Sequence, residues 1–316
     1  MTDFSPNRVA LHVAVTGASG LIGSAFTRRL VTDGHRVSRL VRRAPGPGEI
    51  GWDPDGGRLD PNDLEGLDAV VHLAGENVGV RWTAARKARI RDSRIQGTRV
   101  LSEALARTRR HPAVLVSASA IGIYGDRGDE ILTERSAPGP REDFLATVGQ
   151  EWEKAASPAR GAGIRVVHPR FGVVLSPAGG ALGKMLLPFR LGLGGRLGKG
   201  SQWMSWISID DVVGALLHLV LNEALSGPVN VTAPEPLRNR DFTRTLGRVL
   251  SRPTPFPVPA AALRLVLGEM ADSTLLASTR VLPERLLGSG YRFTHPDLET
   301  ALRHVLGQDR RAIFPR

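Results

Sequence analysis

Residues 12–43 read HVAVTGASGLIGSAFTRRLVTDGHRVSRLVRR, and this stretch decides the fold. A β-rich run at 12–15 enters a turn carrying Gly17, Gly20 and Gly23. A helical pattern follows, with Leu21, Ile22, Phe26 and Leu30 on one face, and Gly34 fits its stop. RVSRLV then reads as a second strand. Strand, glycine turn, helix and strand together open a doubly wound parallel sheet.

The order of those parts points to a ligand. Glycine lets the main chain approach a diphosphate and lets the helix pack tightly on the sheet. The helix start offers unpaired N–H groups and a partial positive charge to the anion. Gly17, Ser19, Gly20, Leu21, Ile22 and Gly23 are therefore expected around a dinucleotide's phosphates. An acidic residue about 20 positions on would hold a free ribose 2′-hydroxyl. No Asp or Glu occurs from 34 to 48, whereas Arg39, Arg42 and Arg43 do. A guanidinium grips a phosphate through two hydrogen bonds. The expected cofactor is NADP(H), with Arg42 as main clamp and Arg39 or Arg43 assisting.

The alternation continues along the chain. LDAVVHLAG (67–75) reads as a buried strand, 82–108 as a long helix, AVLVSAS (113–119) as a strand, 144–160 as mostly helix, and 164–175 as a strand with its exit. Strands separated by helices favour a parallel sheet with right-handed crossovers. Beyond 176 the chain is glycine-rich and irregular, returns to strand, helix and strand, and from 236 is helical and proline-punctuated. The expected organisation is a Rossmann-type domain over 8–177 plus 203–235. A smaller, mainly helical C-terminal substrate cap covers 178–202 plus 236–316.

Composition narrows the function. The 316 residues contain no cysteine, which excludes disulfides and thiolate chemistry. The eight histidines are scattered without a zinc-motif spacing, so no metal is expected. The formal charge of +11 favours anionic partners, but its arginines are dispersed and form no aromatic-studded basic stripe. No nucleic-acid role is expected. The N-terminus lacks a secretory pattern and no apolar run spans a bilayer, so the expectation is a cytoplasmic protein without a membrane partner, monomeric or homodimeric.

TGASGLIG, HLAGENV, RWT, SASAIGIYGDRG, EWEKAA, GGALGKMLLPFRLGLGG, QWMSWISIDD and PVPAAALRLVLGE resemble a known group over nearly the whole chain. That group is the YfcH-like (SDR39-type) epimerase-family proteins, an atypical branch of the extended short-chain dehydrogenases/reductases. The resemblance implies an NADP-binding Rossmann domain and a small polar substrate, possibly a nucleotide sugar. It places Leu73, Ala74 and Gly75 beside the cofactor. The family serine falls on Ser117 or Ser119, with Ser119 preferred as the group that polarises a substrate oxygen. Tyr124 is a further candidate catalytic hydroxyl, or a packing residue. Arg170 leaves the sixth strand near the nicotinamide, where it either holds an anionic ligand group or pairs with Asp210 or Asp211.

One departure is central. The superfamily's tyrosine–lysine pair belongs near 143–151, where this chain has no tyrosine and no lysine. The proton carrier is open; Glu151 and Glu153 on that helix are substitutes if buried. Two readings follow: a nucleotide-sugar epimerase or reductase, or a non-catalytic protein that senses NADPH.

Overall fold

The computed structural model describes residues 10–308. Residues 8–9 and 309–316 of the expected domains lie outside the described residues. The opening unit forms β1 (His12–Thr16), α1 (Leu21–Thr32) and β2 (Arg36–Val41). It is followed by β3 (Glu49–Gly51), β4 (Ala69–His72), α2 (Ala84–Leu105), β5 (Val114–Ser117), β6 (Ser119–Ala120) and β7 (Ile131–Leu132). Next come α3 (Phe144–Lys154), α4 (Ser157–Gly161), β8 (Arg165–Phe171), β9 (Val173–Leu175) and α5 (Gly180–Arg190). The chain continues through β10 (Trp203–Met204), β11 (Trp206–Ser208), α6 (Ile209–Leu221), β12 (Gly227–Val231), β13 (Leu237–Arg238) and α7 (Asn239–Val249). It closes with α8 (Ala260–Leu267), β14 (Arg280–Val281), α9 (Glu284–Gly288) and α10 (Leu298–Val305).

The main sheet runs β12-β8-β5-β4-β1-β2-β3, with β6 beside β8. Every pairing in it is parallel. The chain winds outward in both directions from β1 and β4, which opens a crevice at their C-terminal ends. Alternate residues face opposite layers. Val13, Val15, Val71, Val116 and Val167 pack with Phe26 of α1 and Val212 and Leu216 of α6. Ala14, Val70, Leu115 and Val166 pack with Leu101 of α2 and Ala159 of α4. Burial on both faces explains why the strands read as continuous apolar runs. Each fully buried valine or leucine contributes about 1.5–3 kcal/mol.

The C-terminal part has its own core. Leu182, Leu186 and Phe189 of α5 meet Phe242 and Leu246 of α7, and Leu298 and Leu302 of α10, around Trp206. Two expected elements divide. The 144–160 helix is α3 followed by α4, with Pro158 in the first turn of the second. The 164–175 strand leaves the main sheet at Gly172, where a Cβ would lie 2.6 Å from the Ser205 carbonyl oxygen. From there β9 pairs with β11. That close approach carries the chain from the sheet toward the helical part.

Candidate functional site

The glycine turn sits at the crevice. Gly17 has φ +63°, and a Cβ on it would lie 2.8 Å from the Leu73 carbonyl. A Cβ on Gly23 would approach the Gly17 carbonyl oxygen to 2.2 Å. Both glycines let the turn fold under the start of α1 and against the end of β4. Ser19 and Gly20 are exposed, while Leu21 and Ile22 are half-buried. Gly20 caps α1 without a side-chain bond, and no acid stands in the first turn. The N–H groups of that end are thus aimed outward with their dipole unopposed.

Thr16 locks the two strand ends together. Its Oγ1 accepts from Leu73 N at 3.0 Å and Ala74 N at 3.1 Å, and lies 2.7 Å from His72 Nδ1. With two N–H bonds accepted, the hydroxyl donates to Nδ1, which leaves the imidazole proton on Nε2. Leu73 and Ala74 are therefore fixed beside Gly17, and Gly75 is exposed at the rim.

The three arginines after α1 differ. Arg43 forks onto Glu49, 2.8 Å to each carboxylate oxygen. Arg39 and Arg42 are exposed, and their guanidinium groups make no hydrogen bond or ion pair among the described residues. Arg43 holds Glu49 below the ordinary carboxylate range and neutralises the one acid beside the group.

Ser119 and Arg170 stand opposite each other in the β6–β8 register. Ser119 donates its hydroxyl to Glu153 Oε1 at 2.7 Å. Arg170 donates to the same carboxylate from Nε at 2.7 Å and Nη2 at 2.9 Å, and from Nη1 to the Tyr124 hydroxyl at 2.9 Å. The Tyr124 hydroxyl faces Asn230 Oδ1 at 2.8 Å and the Thr133 carbonyl at 3.0 Å. Burial pulls the Glu153 carboxyl upward, but the Arg170 guanidinium holds it below its usual range. Burial likewise pushes the Tyr124 hydroxyl up.

This network answers several sequence expectations. Arg170 pairs with Glu153, not with Asp210 or Asp211. Asp211 instead accepts from the Ser208 hydroxyl and from the Thr294 and His295 N–H groups. Tyr124 is 0 % exposed and packs with Ile121, Ile123, Leu132 and Val281, so its hydroxyl serves the interior. Glu151 faces solvent while Glu153, two residues on, turns inward. Ser117 is buried, and its Oγ has no partner among the described residues.

Where the tyrosine–lysine pair belongs, α3 offers Phe144 and Val148. Phe144 packs edge-on to Trp82, ring centroids 5.2 Å apart, and Lys87 Nζ lies 4.6 Å from its ring centre. Lys87 also binds both Glu269 oxygens at 2.8 and 2.9 Å. Arg94 is a further residue at this rim. It lies against Gly75, stacks over Trp152 at 5.0 Å, and donates Nη1 to the Glu76 and Ile90 carbonyls. Burial lowers it to about 10. Its position on α2 gave no local signal, since the arginines flanking it at 91 and 99 are exposed. The helical part meets the same rim: Lys184 Nζ donates to the Gly79 carbonyl at 2.6 Å, and Arg81 to the Leu265 carbonyl at 2.6 Å. Phe189 and Trp206 are core residues, whereas Trp203 donates to Asp129 under Arg238 and Arg280.

A doubly wound sheet with a glycine turn at its crevice and a serine at the end of its fifth strand defines a nucleotide-binding epimerase/dehydratase fold. The chain belongs to the NAD dependent epimerase/dehydratase family, which matches residues 13–232. Residues 258–305 match a domain of unknown function, DUF1731. Among relatives, epimerase family protein YfhF of Bacillus subtilis is 37% identical over 96% of this chain and 100% of its own. Epimerase family protein MT2273 of Mycobacterium tuberculosis is 47% identical over 93% of this chain and 97% of its own. The crystal structure of human epimerase family protein SDR39U1 with NADPH superposes with a TM-score of 0.86. It is 36% identical, over 94% of this chain and 99% of that one. The chain is thus an atypical extended short-chain dehydrogenase/reductase. Among the described residues, no helix is long and apolar enough to cross a membrane.

Proposed function

We propose that the protein binds NADP(H) and holds a small polar substrate, its carbonyl or carbinol oxygen at Ser119. The supporting observation is the turn at Gly17–Gly23, which aims an uncapped, acid-free helix start at the crevice. The residues fit the cofactor. The N–H groups around Ser19, Gly20, Leu21 and Ile22 would take the diphosphate, and Leu73, Ala74 and Gly75 would line its path. Arg42, with Arg39, would grip a ribose 2′-phosphate; Arg43 serves by cancelling Glu49. The human relative's NADPH complex supports this choice. Bound nicotinamide would supply hydride chemistry.

This chain's own residues would orient the substrate. Glu153 fixes the Ser119 hydroxyl, and Arg170 fixes Glu153, with Tyr124 positioning Arg170. Ser117, which ends β5 two residues before Ser119, would be a further contact to the cofactor. The division into an NADP-binding domain and a cap is part of the same proposal. The crevice between them would take the substrate, a nucleotide sugar being the candidate from the family's chemistry. A second reading, a non-catalytic NADPH binder, draws on Phe144 and on Glu153. Phenylalanine transfers no proton, and a carboxylate held low by arginine is a weak base.

Turnover separates the two. NADPH oxidation with a panel of aldehydes, ketones and keto-sugars is expected to find a substrate. Ser119→Ala should then lower kcat/KM at least ~100-fold. Tight NADPH binding with no turnover across the panel would favour the second reading.

A further inference from the structure

We propose that Asp210, His295 and His304 form a binding site for a divalent transition metal of the zinc class. Asp210 is distant in sequence from the two histidines, which stand nine residues apart, so no spacing motif announces them. The fold brings them together: Asp210 opens α6, His304 lies in the last turn of α10, and His295 stands in the segment before α10. One donor atom from each lies within 4.8 Å of the other two.

The geometry suits a shared cation better than direct bonds. His304 Nε2 stands 3.4 Å from Asp210 Oδ2. That is long for a charge-assisted hydrogen bond, which runs about 2.7–2.9 Å. It matches the edge of a tetrahedron whose metal–ligand bonds are about 2.0–2.1 Å. The His295 and His304 rings stack with centroids 4.3 Å apart, so a shared ion needs one ring to rotate until both in-plane lone pairs converge. His295 Nε2 is buried and has no hydrogen-bond partner among the described residues, an orphan a metal would satisfy. Two imidazoles and one carboxylate leave a fourth tetrahedral position open. Beside them lies a cavity of about 570 Å³, bounded by Ser24, Arg28, Ser176 and Thr294, with room for water as that ligand. Arg29, also at this cavity, is paired with Asp33 at 2.6 Å and does not oppose the ion as a free charge. Imidazole and carboxylate donors favour zinc, cobalt or nickel over calcium or magnesium.

The site would clamp α10 to α6. It lies outside the Ser119–Glu153 network, and its test does not depend on cofactor binding. Untagged protein stripped with a chelator is titrated with ZnCl2 in calorimetry and thermal melting. One equivalent per chain is expected, with a Tm rise of several degrees, and cobalt should give tetrahedral visible bands. His295→Ala/His304→Ala should lower zinc affinity at least 100-fold, and Asp210→Asn at least tenfold. Leu298, Ala301 and Leu302 hold α10 in its core, so the stripped variants should melt cooperatively. Should a variant fail to fold, the cobalt spectrum of the wild type decides alone. Absence of binding, or zinc binding unchanged in the double variant, would overturn the proposal.

Discussion

At the residue scale, space decides what a glycine is worth. Gly23→Ala would drive a Cβ to 2.2 Å from the Gly17 carbonyl oxygen, whereas a Cβ on Gly34 meets nothing within 4 Å. Gly34→Ala carries only the strain of its φ of +83°, about 1 kcal/mol. Gly23→Ala should destabilise by about 2 kcal/mol or more and abolish NADPH binding; denaturant melts and titrations of both variants check this. The Glu153–Arg170 pair is 15 % and 6 % exposed, so neither charge is easily hydrated when its partner is lost. Glu153→Gln is expected to cost about 3 kcal/mol in denaturant unfolding. Tyr124→Phe, which removes one hydroxyl from the network, should cost about 1 kcal/mol. The glycine turn was legible because its signal is local. Ser119, Glu153 and Arg170 are brought together by helix rotation and strand register, and no spacing rule distinguishes Glu153 from Glu151.

At the element scale, the strands end in a polar row. Thr16 pairs with His72 across β1 and β4, and His72 with Ser117 across β4 and β5. The apolar row behind it is Ala14, Val70 and Leu115. His72, and His168 on β8, are pushed down by burial to about 4 from 6.5. Their folded pKa values lie below the unfolded ones. As pH falls from 6.5 toward 4, the unfolded chain takes up protons that the folded chain refuses. Stability should therefore drop across that window, by up to about 3 kcal/mol per histidine, and lose nothing further from these groups at lower pH. Melting curves from pH 8 to 4 check the sign; a flat profile would contradict the burial argument. The strands and long helices were readable from apolar runs and periodicity. The strand exit near Gly172 was readable as well, but the α3–α4 break and the pairing of β9 with β11 were not, because the first is one turn wide and the second joins segments about thirty residues apart.

At the scale of the whole molecule, the order of parts was readable and their contacts were not. The alternation of strands and helices implied a doubly wound sheet, and the change of texture after 176 implied a second part. Lys87 with Glu269, Arg81 with Leu265 and Lys184 with Gly79 join segments far apart in sequence, and only the packed chain reveals them. The central claim is that the glycine turn and the free guanidiniums at 39 and 42 together bind a 2′-phosphorylated dinucleotide. Calorimetric titration of NADPH and NADH into wild type and Arg42→Glu tests it most directly. The account predicts that wild type prefers NADPH, and that the variant loses at least ~1 kcal/mol for NADPH while its NADH affinity holds. Equal affinity for the two cofactors in wild type, or no binding of either, would contradict it.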